Sequence, residues 1–318
     1  LPLSLLYRGA TAMRNAAYDS GMFASEEPAL PCVSVGNLTV GGTGKTPISA
    51  WLARRLLDAG AHPAIVLRGY GDDEPLVHAR LTPDLPVVVN ANRLEAISRA
   101  AEEGADVAVL DDGFQHRRVA RIADIVLVSA DAPDALVRML PSGPYREGMR
   151  ALGRASIVIV TRKAASLAQA QAVAARVVNT TPGVPVAIAH LALDAIHFEG
   201  RTPARLATIE QRRVLAIAGV GNAAAFGDQL RQAGATVRMR AFADHYPFTD
   251  ADAKALARDL GTDEIALCTL KDAVKLLPLW PREAAAIGYV SQAVIVEENG
   301  GAIDAILELV VHARLRQH

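Results

Sequence analysis

The chain has 318 residues, of which 51% are hydrophobic and 21% are charged, so it can bury a large core and is not a disordered protein. Its 33 Lys and Arg nearly balance 34 Asp and Glu, and only 4% of residues are aromatic, which argues against a dedicated nucleic-acid binder. Two cysteines, Cys32 and Cys268, are too few for a disulfide framework or a four-ligand zinc site, and they fit a reducing, cytoplasmic setting.

The first twenty residues predict an amphipathic helix. Its apolar stripe consists of Leu3, Leu6, Tyr7, Ala10, Met13 and Ala17, and the opposite face carries Ser4, Arg8, Thr11 and Asn15. A helix packed on the body of the protein and a helix lying on a membrane surface both fit this pattern. No apolar run reaches the ~20 residues of a membrane span, and two arginines interrupt the segment where a signal peptide would be continuous.

Short, nearly continuous apolar runs recur through the first half of the chain, and they are typical of strands that are buried on both faces. Helical patterns at 48–59 and 93–103 lie between them. This alternation predicts an α/β fold with a doubly wound, mostly parallel sheet. The strands are predicted at residues 31–35, 64–67, 87–89, 107–110, 125–128 and 157–160.

A second, smaller α/β domain is predicted in the last third of the chain. Its strands are expected at 214–218 and 264–268, and its helices at 223–232, 251–260 and 302–315. Two prolines and a glycine within residues 181–185 interrupt the chain before it. We therefore expect a core domain over residues 1–183, an extended linker over 184–212, and a smaller domain over 213–318 that closes over the first.

Residues 36–47 form a glycine-rich loop between an apolar strand and a helix. Because its glycines have no side chains, a phosphate chain can approach the backbone N–H groups closely. Lys45 can reach the β- and γ-phosphates of a nucleotide, and the Thr46 hydroxyl can bind Mg²⁺. Thr39 replaces the first glycine of the Walker pattern, but the strand–loop–helix context is specific. The predicted phosphate-binding residues are Thr39, Val40, Gly41, Gly42, Thr43, Gly44, Lys45 and Thr46.

Two acidic residues, Asp111 and Asp112, follow the strand predicted at 107–110. A carboxylate in this position of a nucleotide-binding sheet holds Mg²⁺, directly or through water. The alternative is that one aspartate caps a helix and the other is simply solvated. The phosphate-binding loop upstream favours the metal-binding role. The predicted metal ligands are therefore Thr46, Asp111 and Asp112.

These motifs closely resemble those of the tetraacyldisaccharide 4'-kinases, the lipid A kinases. The resemblance rests on the phosphate-binding loop together with Asp-Asp-Gly-Phe-Gln-His at 111–116. Further motifs follow in the family's order: Arg-Gly-Tyr at 68–70, Asp-Glu-Pro at 73–75, Gly-Pro-Tyr-Arg-Glu at 143–147, Asp-His at 244–245 and Thr-Leu-Lys-Asp-Ala-Val-Lys at 269–275. The resemblance implies a P-loop NTPase-like fold. It also implies an enzyme that uses ATP and Mg²⁺ to phosphorylate the 4'-hydroxyl of tetraacyldisaccharide 1-phosphate, giving lipid IVA.

The resemblance further implies roles for individual residues. In the family, the Asp of Asp-Glu-Pro pairs with the His of Asp-His to take the proton of the attacking hydroxyl, which assigns this role to Asp73 and His245. Lys45 neutralises charge on the transferred phosphate. The acceptor already carries one phosphate, and the basic residues that could meet it are Arg93, Arg117 and Arg146.

The family's lipid substrate also bears on location. It favours membrane docking for the N-terminal helix, and it places the protein as a peripheral enzyme on the cytoplasmic face of the inner membrane. We expect no nucleic-acid partner and a monomeric enzyme.

The chain departs from the family between Tyr70 and Asp73, where relatives usually carry a longer segment. Either that segment is dispensable or Asp73 sits differently, in which case Asp72 is the alternative base. A weakened relative that binds nucleotide and membrane but transfers no phosphate is therefore one alternative function.

Two unrelated functions share parts of these motifs. Partitioning-type ATPases have a similar phosphate-binding loop, but they carry a second lysine where this chain has Val40. A dinucleotide-binding dehydrogenase could use the glycines at 219 and 221, but Ala224 stands at the position of the third glycine, and no acidic partner is evident downstream.

Overall fold

The computed structural model describes residues 2–69, 71, 73–131 and 138–316, and of Pro2 only the backbone. The strands in this part of the chain are β1 (Cys32–Asn37), β2 (Pro63–Leu67), β3 (Val87–Val89), β4 (Val107–Asp111), β5 (Ala123–Ser129), β6 (Ile157–Arg162), β7 (Val186–Phe198), β8 (Ala204–Arg205), β9 (Arg213–Ala218), β10 (Thr236–Ala241), β11 (Glu264–Thr269) and β12 (Ile287–Glu298). The α-helices are α1 (Pro2–Asp19), α2 (Lys45–Asp58), α3 (Asp73–Leu81), α4 (Arg93–Glu102), α5 (Leu167–Thr180), α6 (Ala223–Gln232), α7 (Asp250–Asp259), α8 (Leu270–Leu276) and α9 (Gly300–Leu315).

All of these strands belong to one sheet. The strand order is β10-β9-β11-β12-β7-β6-β5-β1-β4-β2-β3, with β8 paired to β7. Neighbouring strands are parallel except where β7 meets β12 and β8. The long strand β7 thus joins the sheet of the first half of the chain, through β6, to that of the second half, through β12.

Both faces of the sheet are covered, which explains the continuous apolar runs of its strands. In β4, Val107 and Val109 pack in a core that includes side chains of α2 and α9. Their neighbours Ala108 and Leu110 point to the other face, into a core that includes α4. The strands of the second half are also covered on both faces, with α6 packed on one face and α7 and α8 on the other.

The strands and helices predicted from the sequence are present, which confirms the α/β class and the mostly parallel sheet. The sequence analysis did not identify α3, α5, α8, β10 or β12. The segment 184–212 contains β7, which pairs with strands of both halves. The division at 183 and 213 remains a prediction.

The N-terminal helix α1 turns its apolar stripe outward. Leu3, Leu6 and Met13 are 66–76% exposed. Its polar face contacts the body: Ser4 Oγ lies 2.7 Å from Ser142 Oγ, and Asn15 Nδ2 donates to a Glu147 carboxylate oxygen at 2.7 Å. Most of the apolar stripe of α1 is therefore exposed, whereas in an ordinary packed helix it would be buried. None of the helices described is both long and apolar enough to cross a bilayer.

Candidate active site

The glycine-rich loop lies between the end of β1 and the start of α2, and neighbouring strands hold its shape. Asn37 Nδ2 of β1 donates to Thr43 Oγ1 at 2.7 Å, and Thr161 Oγ1 of β6 donates to the Thr43 carbonyl at 2.8 Å. Helix α2 begins at Lys45, so its positive N-terminal end faces the space above the loop. The loop is therefore a preorganised anion site.

Gly44 is required by its backbone. Its φ of 92° lies in the left-handed region, and a β-carbon at this position would collide with Leu191 Cδ1 of β7. A residue other than glycine would be strained here both by its backbone and by this contact.

Asp112 is held by two cations. Arg146 Nη1 donates to both of its carboxylate oxygens, at 2.8 and 2.7 Å, and Lys45 Nζ lies 3.6 Å from Oδ1. The backbone of Asp112 is left-handed, with a φ of 53°, which is uncommon for a residue other than glycine and directs its side chain toward Lys45. This ion pair was not predicted from the sequence, which made Arg146 a candidate for binding the lipid phosphate instead.

Asp111 is buried and accepts hydrogen bonds from α2 and α3. Ser49 Oγ is 3.1 Å from Oδ1, and His78 Nε2 is 2.8 Å from Oδ2. Burial alone would raise the pKa of Asp111, but the hydrogen bond and charge of His78 and the charge of Lys45 lower it. The lowered pKa favours the ionised carboxylate, which is the form that binds a metal ion.

The structure brings Asp73 and His245 together. Nδ1 of His245 is 3.0 Å from each carboxylate oxygen of Asp73. Asp73 is 4% exposed at the start of α3, and burial would raise its pKa; the hydrogen bond and charge of His245, with Lys271 and Lys275, lower it instead. The short segment before Asp73 does not prevent this contact. Asp72, the alternative base, lies outside the described residues.

Three lysines around this pair were not assigned a role from the sequence. Lys271 Nζ of α8 is 3.7 Å from Glu74, and Lys275 Nζ of the same helix is 3.5 Å from Asp73. Lys163, at the end of β6, donates to the Gly42 carbonyl at 3.0 Å. The motif at 269–275 was recognised in the sequence, but the contacts of these lysines arise only when the chain folds.

The loop after β9 meets the phosphate-binding loop. A β-carbon on Gly221 would lie 3.0 Å from the Gly42 nitrogen and 3.1 Å from the Gly41 α-carbon. Of the two glycines that suggested a dinucleotide site, Gly221 thus lies against the backbone of the phosphate-binding loop, where a side chain would be crowded.

The three arginines proposed to meet the lipid phosphate have different environments. Arg93 is 2% exposed and donates to the carbonyls of Val66 and Asp111. Arg117 binds α1, through the Asn15 carbonyl and Asp19. Arg146 lines the cavity, where it holds Asp112.

Many of these residues border one cavity of about 750 Å³, a size typical of small-molecule sites. Its wall includes Val40–Thr46, Glu74, Asp111, Asp112, Arg146, Lys163, His245 and Lys271, and Tyr7, Thr11 and Arg14 of α1. Thr39 lies outside the wall and forms a β-bridge with Tyr145. Among the residues described, no group of three or more His, Cys, Asp and Glu side chains could hold a metal. Mg²⁺ suits such a wall, since it takes one or two carboxylates and completes its shell with phosphate oxygens and water.

The chain is similar in sequence and in fold to several known proteins. A family model described as tetraacyldisaccharide-1-P 4'-kinase matches residues 1–311. The tetraacyldisaccharide 4'-kinase of Anaeromyxobacter dehalogenans strain 2CP-1 is 37% identical, over 86% of this chain and 79% of the relative. That of Syntrophus aciditrophicus strain SB is 36% identical, over 87% and 83%. The crystal structure of LpxK from Aquifex aeolicus in complex with ATP superposes with a TM-score of 0.74 at 26% identity and covers 98% of both chains.

Proposed function

The chain belongs to the tetraacyldisaccharide-1-phosphate 4'-kinase family, and on that premise we propose that it transfers the γ-phosphate of ATP to the 4'-hydroxyl of tetraacyldisaccharide 1-phosphate, giving lipid IVA. One observation carries the proposal: the phosphate-binding loop and His245, which contacts Asp73, border the same cavity from opposite halves of the chain. The family match favours this kinase over the partitioning-type ATPase and over the weakened relative.

Binding of the ATP phosphates is assigned to the glycine-rich loop. Its backbone N–H groups, the N-terminal end of α2 and Lys45 all present positive charge to the cavity. Lys163 lies against the same loop through Gly42 and adds a further cation at its edge. Charge that develops on the transferred phosphoryl group is stabilised here, where the electrostatic field is fixed before reaction.

Mg²⁺ is assigned to Thr46, Asp111 and Asp112, whose oxygen atoms suit this hard cation. All three border the cavity beside Lys45. When bound, Mg²⁺ neutralises phosphate charge. Ser49 and His78 keep the Asp111 carboxylate in place, and Arg146 does the same for Asp112.

Proton acceptance is assigned to Asp73 and His245. The His245 side chain is 39% exposed and borders the cavity, while Asp73 lies behind it. The hydroxyl of the acceptor therefore meets the imidazole first, and the ionised carboxylate orients the ring and stabilises the proton that it takes up.

The acceptor is a lipid, and α1 is assigned to the membrane surface. The exposed leucines and methionine of its stripe supply apolar area for the acyl region, and the partly buried Tyr7, Thr11 and Arg14 contribute to the cavity wall. A lipid taken from the surface beside α1 would reach the phosphate-binding loop without leaving the cavity. This arrangement supports a peripheral membrane enzyme, for which we propose the cytoplasmic face of the inner membrane and a monomeric state.

The proposed function is tested by following the γ-phosphate of labelled ATP into tetraacyldisaccharide 1-phosphate in detergent micelles. Labelled lipid that forms only with the acceptor present supports the kinase. ATP binding without transfer would favour the weakened relative.

A further inference from the structure

We propose that Lys275 is a positioning residue of the Asp73–His245 pair, a role that rests on the proposed function and deepens it. Lys275 lies on α8, and its Nζ is 3.5 Å from Oδ2 of Asp73 and 4.0 Å from Oδ1 of Asp272. The atom is buried and makes no hydrogen bond within the described part of the chain. Lys275 therefore acts on both carboxylates through its charge.

Lys275 and His245 reach the carboxylate of Asp73 from different elements. A carboxylate that is 4% exposed stays ionised only where nearby cations offset the loss of water. His245 approaches it from the loop after β10, and Lys275 approaches Oδ2 from α8. Lys275 therefore supplies positive charge to the carboxylate, and the contacts with His245 and Lys275 together fix its orientation.

The groups that face the pair come from three elements. Helix α8 contributes Lys271, Asp272 and Lys275; Glu74 follows Asp73 on α3; and Asp244 precedes His245, with Oδ1 at 3.9 Å from its Nε2. Of the two lysines, Lys271 is engaged with Glu74, and Lys275 is the one in contact with Asp73.

Lys275 also links the pair to the phosphate-binding loop. Asp272 is fully buried, and its Oδ1 accepts the N–H of Gly219 at 3.0 Å. Gly219 opens the loop whose Gly221 lies against the Gly42 nitrogen. The lysine thus lies between the proton-accepting pair and the backbone contact that joins the two glycine loops.

The geometry makes Lys275 a positioning residue, not a catalytic one. His245 and Lys271 border the cavity, whereas Lys275 and Asp73 are absent from its described wall. Lys275 Nζ lies 5.7 Å from the centre of the Phe248 ring, which is within cation–π distance. Its effect on transfer must pass through Asp73.

The test compares Lys275→Met and Lys275→Arg with the wild type, and uses Lys254→Met as a matched control, since Lys254 is an exposed lysine of α7. The labelled-ATP assay gives kcat, KM for ATP and the pH dependence of kcat, and thermal unfolding of each variant shows whether it is folded. Transfer by the wild type is measured first. Its absence overturns the proposed function and this inference together, whereas a normal wild type isolates the inference.

For Lys275→Met we expect kcat to fall about tenfold or more, with KM for ATP within about twofold, because the lysine is not in the described wall of the cavity. The acid limb of the pH profile should move to higher pH. Whichever member of the pair holds the proton, its affinity for that proton rises when the neighbouring cation is removed. Lys275→Arg should restore most of kcat and the pH profile, and Lys254→Met should match the wild type.

Two results would overturn the inference. One is a kcat of folded Lys275→Met within about twofold of the wild type. The other is a loss of kcat with an unchanged pH profile and no rescue by arginine, which would mean a purely structural role. A double variant adds a third criterion: in an Asp73→Asn background, Lys275→Met should cause little further loss, and a full, independent loss would contradict action through Asp73.

Discussion

His245 lies with its Nδ1 3.0 Å from both carboxylate oxygens of Asp73, although 172 residues separate them in the chain. The contact joins α3, next to the phosphate-binding half of the sheet, to the loop after β10, at the far edge. Each residue alone would be unremarkable, an acid at a helix start and a loop histidine. Together they form a buried carboxylate–imidazole pair whose imidazole borders the cavity.

Lys45→Ala should abolish transfer and leave the fold intact. Lys45 lies at the start of α2 with its side chain in the cavity, so its loss removes charge stabilisation without opening the core. We expect kcat to fall by about 10²-fold or more, with an unchanged melting temperature. Near-normal transfer by this variant would contradict the assignment of the phosphate-binding loop.

His245→Ala should lower kcat more than it weakens lipid binding. Loss of a positioned proton acceptor costs about 10²-fold or more in rate, while the side chain contributes little of the cavity surface. The assay is initial rate against acceptor concentration, with exposed His312→Ala as the control. An unchanged kcat with a raised KM would place His245 in lipid binding instead.

Asp73 should make the fold sensitive to acid. Its pKa is lowered in the folded state by His245, Lys271 and Lys275, against the effect of burial, whereas the unfolded chain has the ordinary value of about 3.9. The stability that this provides is present above about pH 4 and is lost as pH falls toward the lowered pKa. Denaturant titrations should therefore show that Asp73→Asn weakens the decline in unfolding free energy below about pH 4. The exposed Asp263→Asn is the control, and its unfolding free energy should decline as steeply as that of the wild type. An equally steep decline for Asp73→Asn would contradict the ionised state of Asp73.

Gly44→Ala should damage both stability and ATP binding. Its left-handed backbone and the collision of a β-carbon with Leu191 would move the loop or β7, at a cost of about 1–3 kcal/mol. Gly153→Ala is the control, because nothing lies within 4 Å of a β-carbon there. Denaturant unfolding and nucleotide titration measure the two effects. Equal behaviour of the two variants would show that the loop tolerates a side chain at 44.

Leu6→Asp should weaken binding to vesicles of anionic phospholipid without changing the fold. Leu6 is 69% exposed on the apolar stripe of α1, and the loss of one inserted leucine lowers partitioning by about tenfold or more. Leu309→Asp on α9, where the leucine is 55% exposed, controls for a general effect of surface charge. Vesicle co-sedimentation distinguishes them. If both variants bind as the wild type does, α1 is not the docking element.

The sequence predicts the parts of this protein that depend on local pattern. Strands buried on both faces appear as apolar runs, and the glycines and Lys45 of the loop at 36–47 predict a phosphate site. Strand β10 was missed because an edge strand tolerates Arg238 and Arg240, which mask its apolar character. Helix α8 was missed because seven residues are too few for a clear period.

The ion pairs of the site could not be derived from spacing. Arg146 and Asp112, or Lys275 and Asp73, meet only because the sheet brings separate segments to one edge of the cavity. The resemblance to a family supplied the pairing of Asp73 with His245, and nothing in the local sequence would have done so. The orientation of α1 was also open, because an apolar stripe has the same period whether it faces a core or a membrane.

The most direct test of the central claim is transfer from labelled ATP to tetraacyldisaccharide 1-phosphate by the wild type and by Asp73→Ala, in micelles with Mg²⁺. We predict labelled lipid from the wild type and little from the variant. Equal product from both would contradict the assignment of Asp73 to the proton-accepting pair. No product from a folded wild type that binds ATP would contradict the kinase itself.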